Sequence, residues 1–443
     1  MNRVYIYFLQ ILKAALQGEK MTSLANAGTA VADEIHNEGP SQIPSADPSP
    51  LTMDEWAQIM RLAQTHHVLP LVFEAVHALP EIQSTPFFGA LRNQIRVQVL
   101  TQTQKTLDFQ LLYQRFAATG LQPLVVKGLV CRDLYPFPDH RISSDEDLLI
   151  MPEQTAAYHE ILTQYGLSTS EVDMSAAYEI PYRKVGGPLY IELHRYLFPP
   201  ESEAYGDLNR FFNTAFDRSV EETIQGFSVR TMSPTDHLFY LICHSFKHFL
   251  HSGFGVRQVC DIILYANAYG SRIDWALVLE NCRAIRADRF AAALFAIGEK
   301  YLVFDPALAC FPAEWRELAT EERLRLVAGE SALLLDLLAA GVYGDADMSR
   351  KHSSNITLDA VSAHKRGRRS GNALLLSLFP SAKKIEGRFP YLKKRPYLLP
   401  VAWLQRMLRY RKESRSDAAN NAAESLKIGG QRVDMLREYG IID

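Results

Sequence analysis

Two short apolar runs, Leu124-Val125-Val126 and Leu148-Leu149-Ile150, restrict the fold more than any other feature of the chain. Each is too short for a buried helix and is closed off by charge or a breaker. Pro123 precedes the first and Lys127-Gly128 follows it; Asp145-Glu146-Asp147 opens the second and Met151-Pro152 ends it. Such runs predict buried strands. Residues 128–135 predict a helix between them, and Pro136-Phe137-Pro138 forces a loop. A helix over Gln154–Tyr165 ends at Gly166. Tyr178–Arg183 and Leu189–His194 then read as a hairpin turning at Gly186-Gly187-Pro188. Residues 120–232 therefore form an α/β core.

The flanks are helical. Thr52 followed by Glu55 is a capping box opening a helix through Trp56, Ile59 and Met60. Further helices are expected near Leu71–Leu79 and Ser84–Thr119, so 51–119 is an N-terminal helical region. Ser233-Pro234-Thr235-Asp236 has the N-cap, Pro-N1 and acidic-N3 order that starts a helix, and 233–415 reads as a mainly helical domain. Within 1–50, an amphipathic N-terminal helix precedes a flexible linker over Ala25–Pro50, whose Ala, Ser, Pro and Gly cannot bury enough surface to offset ordering. Polar residues 349–371 predict an exposed crossing loop, and 416–443 a loosely ordered tail. The expected class is α+β, a short mixed sheet flanked by helices.

A net charge of −3 over 443 residues gives no global basic field, hence no strong DNA-binding signal. Apolar residues make up 47%, enough for a substantial core, yet none of the stretches is long enough to span a membrane. Cys131, Cys243, Cys260, Cys282 and Cys310 are scattered and odd in number, which predicts reduced core thiols in a cytoplasmic protein.

Chemistry concentrates around Asp145-x-Asp147. In a strand both carboxylates project from one face, and two that close repel unless a cation or proton lies between them. Mg²⁺ (or Mn²⁺), a hard cation that shares its shell with phosphates, suits them. Lys127-Gly128 opens a helix whose first N–H groups can meet phosphate oxygens. Arg141 stands at the mouth of the strand, and Glu192 and His194 share a face of a later one.

The order Lys-Gly, helix ending in Tyr-Pro, Arg-x-x-x-Asp-x-Asp-Leu-Leu and acid-x-His resembles the uncharacterised nucleotidyltransferase family of the DNA polymerase β-like superfamily. Further similarity runs through Trp56–Leu71, His237–His248, Val256–Asp261, Ile273–Trp275, 374–381 and 398–409, about residues 51–410 in all. The resemblance implies transfer of a nucleoside monophosphate from an NTP such as ATP. The acceptor hydroxyl could sit on a protein, sugar, small molecule or RNA. It implies Asp145, Asp147 and Glu192 as catalytic metal ligands, with Lys127, Gly128, Arg141 and His194 facing the nucleotide. Three departures stand out: no Ser follows Gly128, Glu146 replaces an apolar residue and must be solvated or paired, and Glu192 stands where Asp is commoner. They keep a second reading open, an impaired nucleotide-binding or protein-interaction module on the same fold.

Other motifs carry less. His244-x-x-x-His248 lacks the adjacent Glu of a zinc hydrolase; with Lys247 and His251 it serves either the cleft or structure. Arg257 and Asp261 have the spacing of a helix ion pair, His66-His67 that of packing and capping. Lys365–Arg369 reads as solvated.

Overall fold

A computed structural model describes the chain except residues 23–48, 171–172, 175, 252, 342–347, 368–381, 386–388 and 417–421. The expected linker lies almost wholly outside the described residues. Short helical turns aside, the elements before the sheet are α1 (Arg3–Leu16), α2 (Met53–Thr65), α3 (Leu69–Val76) and α4 (Phe88–Ala118). The α/β region holds β1 (Leu124–Val126), α5 (Gly128–Arg132), β2 (Glu146–Leu149), α6 (Thr155–Gln164) and β3 (Leu167–Ser168). It continues with β4 (Glu179–Lys184), β5 (Tyr190–His194), β6 (Val220–Ile224) and β7 (Phe227–Thr231). Helices α7 (Pro234–Leu250), α8 (Val256–Tyr269), α9 (Trp275–Ala284) and α10 (Asp288–Tyr301) follow, and shorter helices lie between 313 and 340.

The seven strands form one mixed sheet in the order β3-β4-β5-β2-β1-β7-β6. Its centre carries the site. β2 runs antiparallel to β1, with Val126 opposite Asp147, and parallel to β5, with Asp147 opposite Glu192. β1 and β2 are buried throughout, which is why they lack the alternation of a half-exposed strand. The β6–β7 hairpin was not legible as strands. Its turn, Gln225-Gly226, has both residues at positive φ, the conformation of a tight two-residue hairpin loop. β7 then pairs with β1 through Thr231 and Val125.

The capping box at Thr52 is present, and Ser233 caps α7 by accepting from the Asp236 N–H. α1 is more deeply buried than an amphipathic helix, with Tyr7, Phe8, Leu9, Ile11 and Leu12 all inside the main core. Two expectations need correction. Of the expected exposed loop, 349–365 belong to helix α11 (Met348–Lys365), and 368–371 lie outside the described residues. The tail forms α13 (Ala422–Glu438), after α12 (Leu399–Ser416). α11 and α13 pack together, burying Ile356, Ala360 and Val361 against Val433, Met435 and Leu436. Polar composition misled here because the inward polar groups are partnered: Thr357 donates to Leu250 O at 2.5 Å, and Arg432 bonds Phe249 O and Asp336. Cys310 is exposed; the other four thiols are buried, and all are free.

His66 ties the N-terminal helices to the rest. Its Nδ1 accepts from the Val256 N–H and its Nε2 donates to Leu338 O, both at 3.2 Å. That pattern uses the neutral ring, and burial pulls the imidazole from about 6.5 down to about 4. The folded value lies below the unfolded one. The stabilising difference is thus complete above about pH 6.5 and is lost as pH falls towards 4. Urea midpoints are expected to drop by about 2–3 kcal/mol equivalent across that window, and His66→Gln to flatten the drop. An unchanged pH profile in His66→Gln contradicts this assignment.

Candidate active site

β1 ends in a turn that only a particular environment tolerates. Lys127 has φ 55° and ψ −114°, strained for a residue with a side chain. Its N–H donates to His237 Nε2 at 3.1 Å. The other ring nitrogen of His237 meets Thr231 Oγ1, which donates to Val125 O at 2.6 Å. Burial holds His237 neutral, its ring pulled down to about 3, so Nε2 can accept. The Lys127 N–H is therefore occupied by His237 and does not face phosphate. Gly128 is required: its φ is +24°, and a Cβ there would run into the Glu146 carboxylate.

Beyond that turn the side chains converge. Lys127 Nζ lies 3.0 Å from Asp147 Oδ2 and 3.2 Å from His244 Nε2. His194 Nε2 lies 2.8 Å from Asp147 Oδ1 and 3.7 Å from Glu192 Oε2. Asp147, Glu192 and His194 offer ligand atoms within 4.8 Å of one another. Asp145 lies outside that trio and lines a pocket to which Asp147 also contributes. The pocket, an open cleft with an enclosed volume of only about 30 Å³, is also lined by Lys127, Gly128, Arg141, His244, Arg257 and Gln258.

Electrostatics agree with a cation-seeking site. Burial, then the charges of Asp147, Asp145 and Glu179, push the Glu192 carboxyl up to about 9. Burial would also raise Asp147, but Lys127 and His194 outweigh it and hold that carboxyl well below its usual range. Burial lowers Lys127, and Asp147, Tyr240, Asp145 and Glu192 more than offset it. Hard carboxylate oxygens crowded to this degree suit a divalent cation such as Mg²⁺. His194, bonded to Asp147, fits an orienting role.

Arg141 lines the pocket with its guanidinium already paired. It forms a two-point pair with Asp261, at 2.7 Å through both Nε and Nη2, and Tyr135 OH donates to the same carboxylate at 2.8 Å. The Arg257–Asp261 helix pair is thereby corrected, since Arg257 instead bonds Ile142 O. Arg257 lines the pocket, its Nε buried without a hydrogen-bond partner. Lys247 lies near Lys127, Glu179 and Glu192, and burial and Lys127 lower its pKa. Among the described residues neither Arg257 nor Lys247 has a carboxylate in ion-pair range. His244 faces the pocket and also meets His248 Nε2 at 3.1 Å; burial keeps both rings neutral. Sequence spacing left His244 and Lys247 open between cleft and structure and read Arg257 as a helix ion pair, because α7 and α8 reach the sheet only through the tertiary fold.

Glu146 is fully buried and paired with Arg132. Strand alternation sends it away from Asp147 into a polar cluster with Ser143, Thr106, Gln102 and Lys105.

A family model described as an uncharacterised nucleotidyltransferase matches residues 52–302. The match stops well short of 410, leaving 374–381 and 398–409 outside it. No curated protein and no solved structure matches the chain.

Proposed function

The chain belongs to this uncharacterised nucleotidyltransferase family, and we propose that it moves a nucleoside monophosphate from an NTP to a hydroxyl-bearing acceptor at the Asp145–Asp147–Glu192 face. The observation that carries this reading is the parallel register of Asp147 with Glu192, which sets two carboxylates side by side beneath Lys127. A divalent cation held by these carboxylates would neutralise charge on the triphosphate. His194 fixes the orientation of Asp147. Lys127, released from Asp147 when nucleotide enters, is in reach of phosphate oxygens. Arg257 and Lys247, half-buried and without a carboxylate in ion-pair range among the described residues, bring positive charge from the helical layer that an anion would pair. Glu192 stands beside the reacting face to orient the acceptor hydroxyl.

A second reading, nucleotide binding without transfer, draws on one observation: Leu129 follows Gly128, so no hydroxyl stands in the phosphate turn. Incubation with each α-labelled NTP and Mg²⁺ or Mn²⁺ in cell extract separates the two. Label on a protein, sugar, small molecule or RNA supports transfer and gives the acceptor class. A Mg²⁺–NTP thermal shift with no label supports binding alone, and neither result supports the site.

Arg257→Met tests the helical-layer contact. Loss of a charge-assisted hydrogen bond to phosphate is worth about 1.5–3 kcal/mol, so NTP affinity is expected to fall about tenfold or more. Binding of the divalent metal alone should be little changed. Equal NTP affinity in wild type and Arg257→Met removes Arg257 from the site.

A further inference from the structure

The helix α12 carries a second feature, outside the family match. A small cluster of Ile385, Leu392 and Ala402, joined by Phe389, Tyr391, Leu399 and Trp403, forms a core separate from the main one. Ala402 is fully buried, so one side of α12 faces that cluster. Its other side is exposed and apolar. Val401 is 45% exposed, Leu404 56% and Leu408 58%, and Tyr397 in the turn leading into the helix is 72% exposed. Spacings of three and four residues align 401, 404 and 408 in one stripe.

Charge identifies what covers the stripe. From Lys383 to Arg415 the sequence holds eleven Lys and Arg against two Glu, a net of +9 in a chain whose total is −3. The remainder of the chain is therefore net −12, and the positive charge is concentrated around this helix. Lys394 and Arg395, next to Tyr397, are exposed. Apolar side chains flanked by cations match a bilayer surface, where aliphatic groups pass the headgroups while Lys and Arg meet lipid phosphates. A tyrosine at the edge suits the interfacial zone. A second copy of the chain would bring like charge against like. Single-stranded RNA calls for aromatic stacking faces, and the exposed stripe is largely aliphatic. Among the described residues no helix is long and apolar enough to cross a membrane, so contact lies along the surface.

We infer that α12, with the basic segment around it, docks this chain on an anionic lipid surface. The test is sedimentation of the full-length protein with phosphatidylcholine vesicles, with and without phosphatidylglycerol. Binding is expected only with the anionic vesicles and should weaken as salt rises. Leu404→Gln/Leu408→Gln and Lys394→Glu/Arg395→Glu should each reduce partitioning about tenfold or more. All four positions are exposed, so both variants should keep the wild-type melting temperature. Equal binding to both vesicle types, or anionic binding unchanged in both variants, overturns the assignment. So does displacement of lipid by single-stranded RNA, or self-association that Leu404→Gln/Leu408→Gln abolishes.

Discussion

Asp147→Asn is expected to reduce nucleotidyl transfer by about 10³-fold or more, the scale of losing a preorganised electrostatic partner of the reacting phosphate. Asparagine keeps the shape of the side chain and one acceptor oxygen, so the loss reports charge. Asp147 is the carboxylate that meets Lys127 on one oxygen and His194 on the other, with Glu192 as its register neighbour. Neutralising it also leaves the mostly buried Lys127 ammonium without its ion-pair partner. A fall in melting temperature without nucleotide should accompany the loss of activity. Asp145→Asn separates the two effects: Asp145 lines the pocket but lies outside the close cluster. It should lose transfer while keeping the wild-type melting temperature. Label transfer that survives in both variants contradicts the site.

The alternation Asp145-Glu146-Asp147 and the apolar runs beside it made the central strands legible, because strand periodicity is local and burial on both faces leaves an apolar signature. Glu192 could be placed for the same reason, its strand being read from its own residues. Partners across the fold could not. Arg141 looked available because it stands at the mouth of the Asp145 strand, yet its carboxylate sits on α8 at Asp261. The N–H groups of the Lys127-Gly128 turn looked free for phosphate, and His237 of α7 occupies the one at Lys127. α11 and α13 were read as loop and tail from the basic, polar composition of 349–371 and the small, polar residues that lead into α13. Their polar groups are satisfied by backbone carbonyls and by Asp336, which composition does not reveal.

Glu146 is the residue through which fold and site depend on each other, and Arg132→Met is expected to cost about 3–5 kcal/mol because it strands a buried carboxylate. Both side chains are fully inaccessible. Arg132 also donates to Thr106 Oγ1 at 3.1 Å and to Ser143 Oγ at 3.0 Å, so one guanidinium joins α4, α5 and the approach to β2. The sequence demanded that Glu146 be solvated or paired, and pairing is the outcome. If the ion pair merely fills space, Arg132→Met/Glu146→Leu should recover most of the stability lost by Arg132→Met, since replacing both members of a buried pair is often neutral. Urea midpoints of the two variants measure that recovery; a double variant no more stable than Arg132→Met contradicts a pairwise origin. Activity should not recover in parallel. Glu146 separates Asp145 from Asp147 in sequence, and its carboxylate packs against Gly128, so it fixes the strand and the Lys127 turn relative to each other. A stable double variant with weakened Mg²⁺–NTP binding would place the role of the pair in positioning the carboxylates, and one with wild-type binding would confine it to stability.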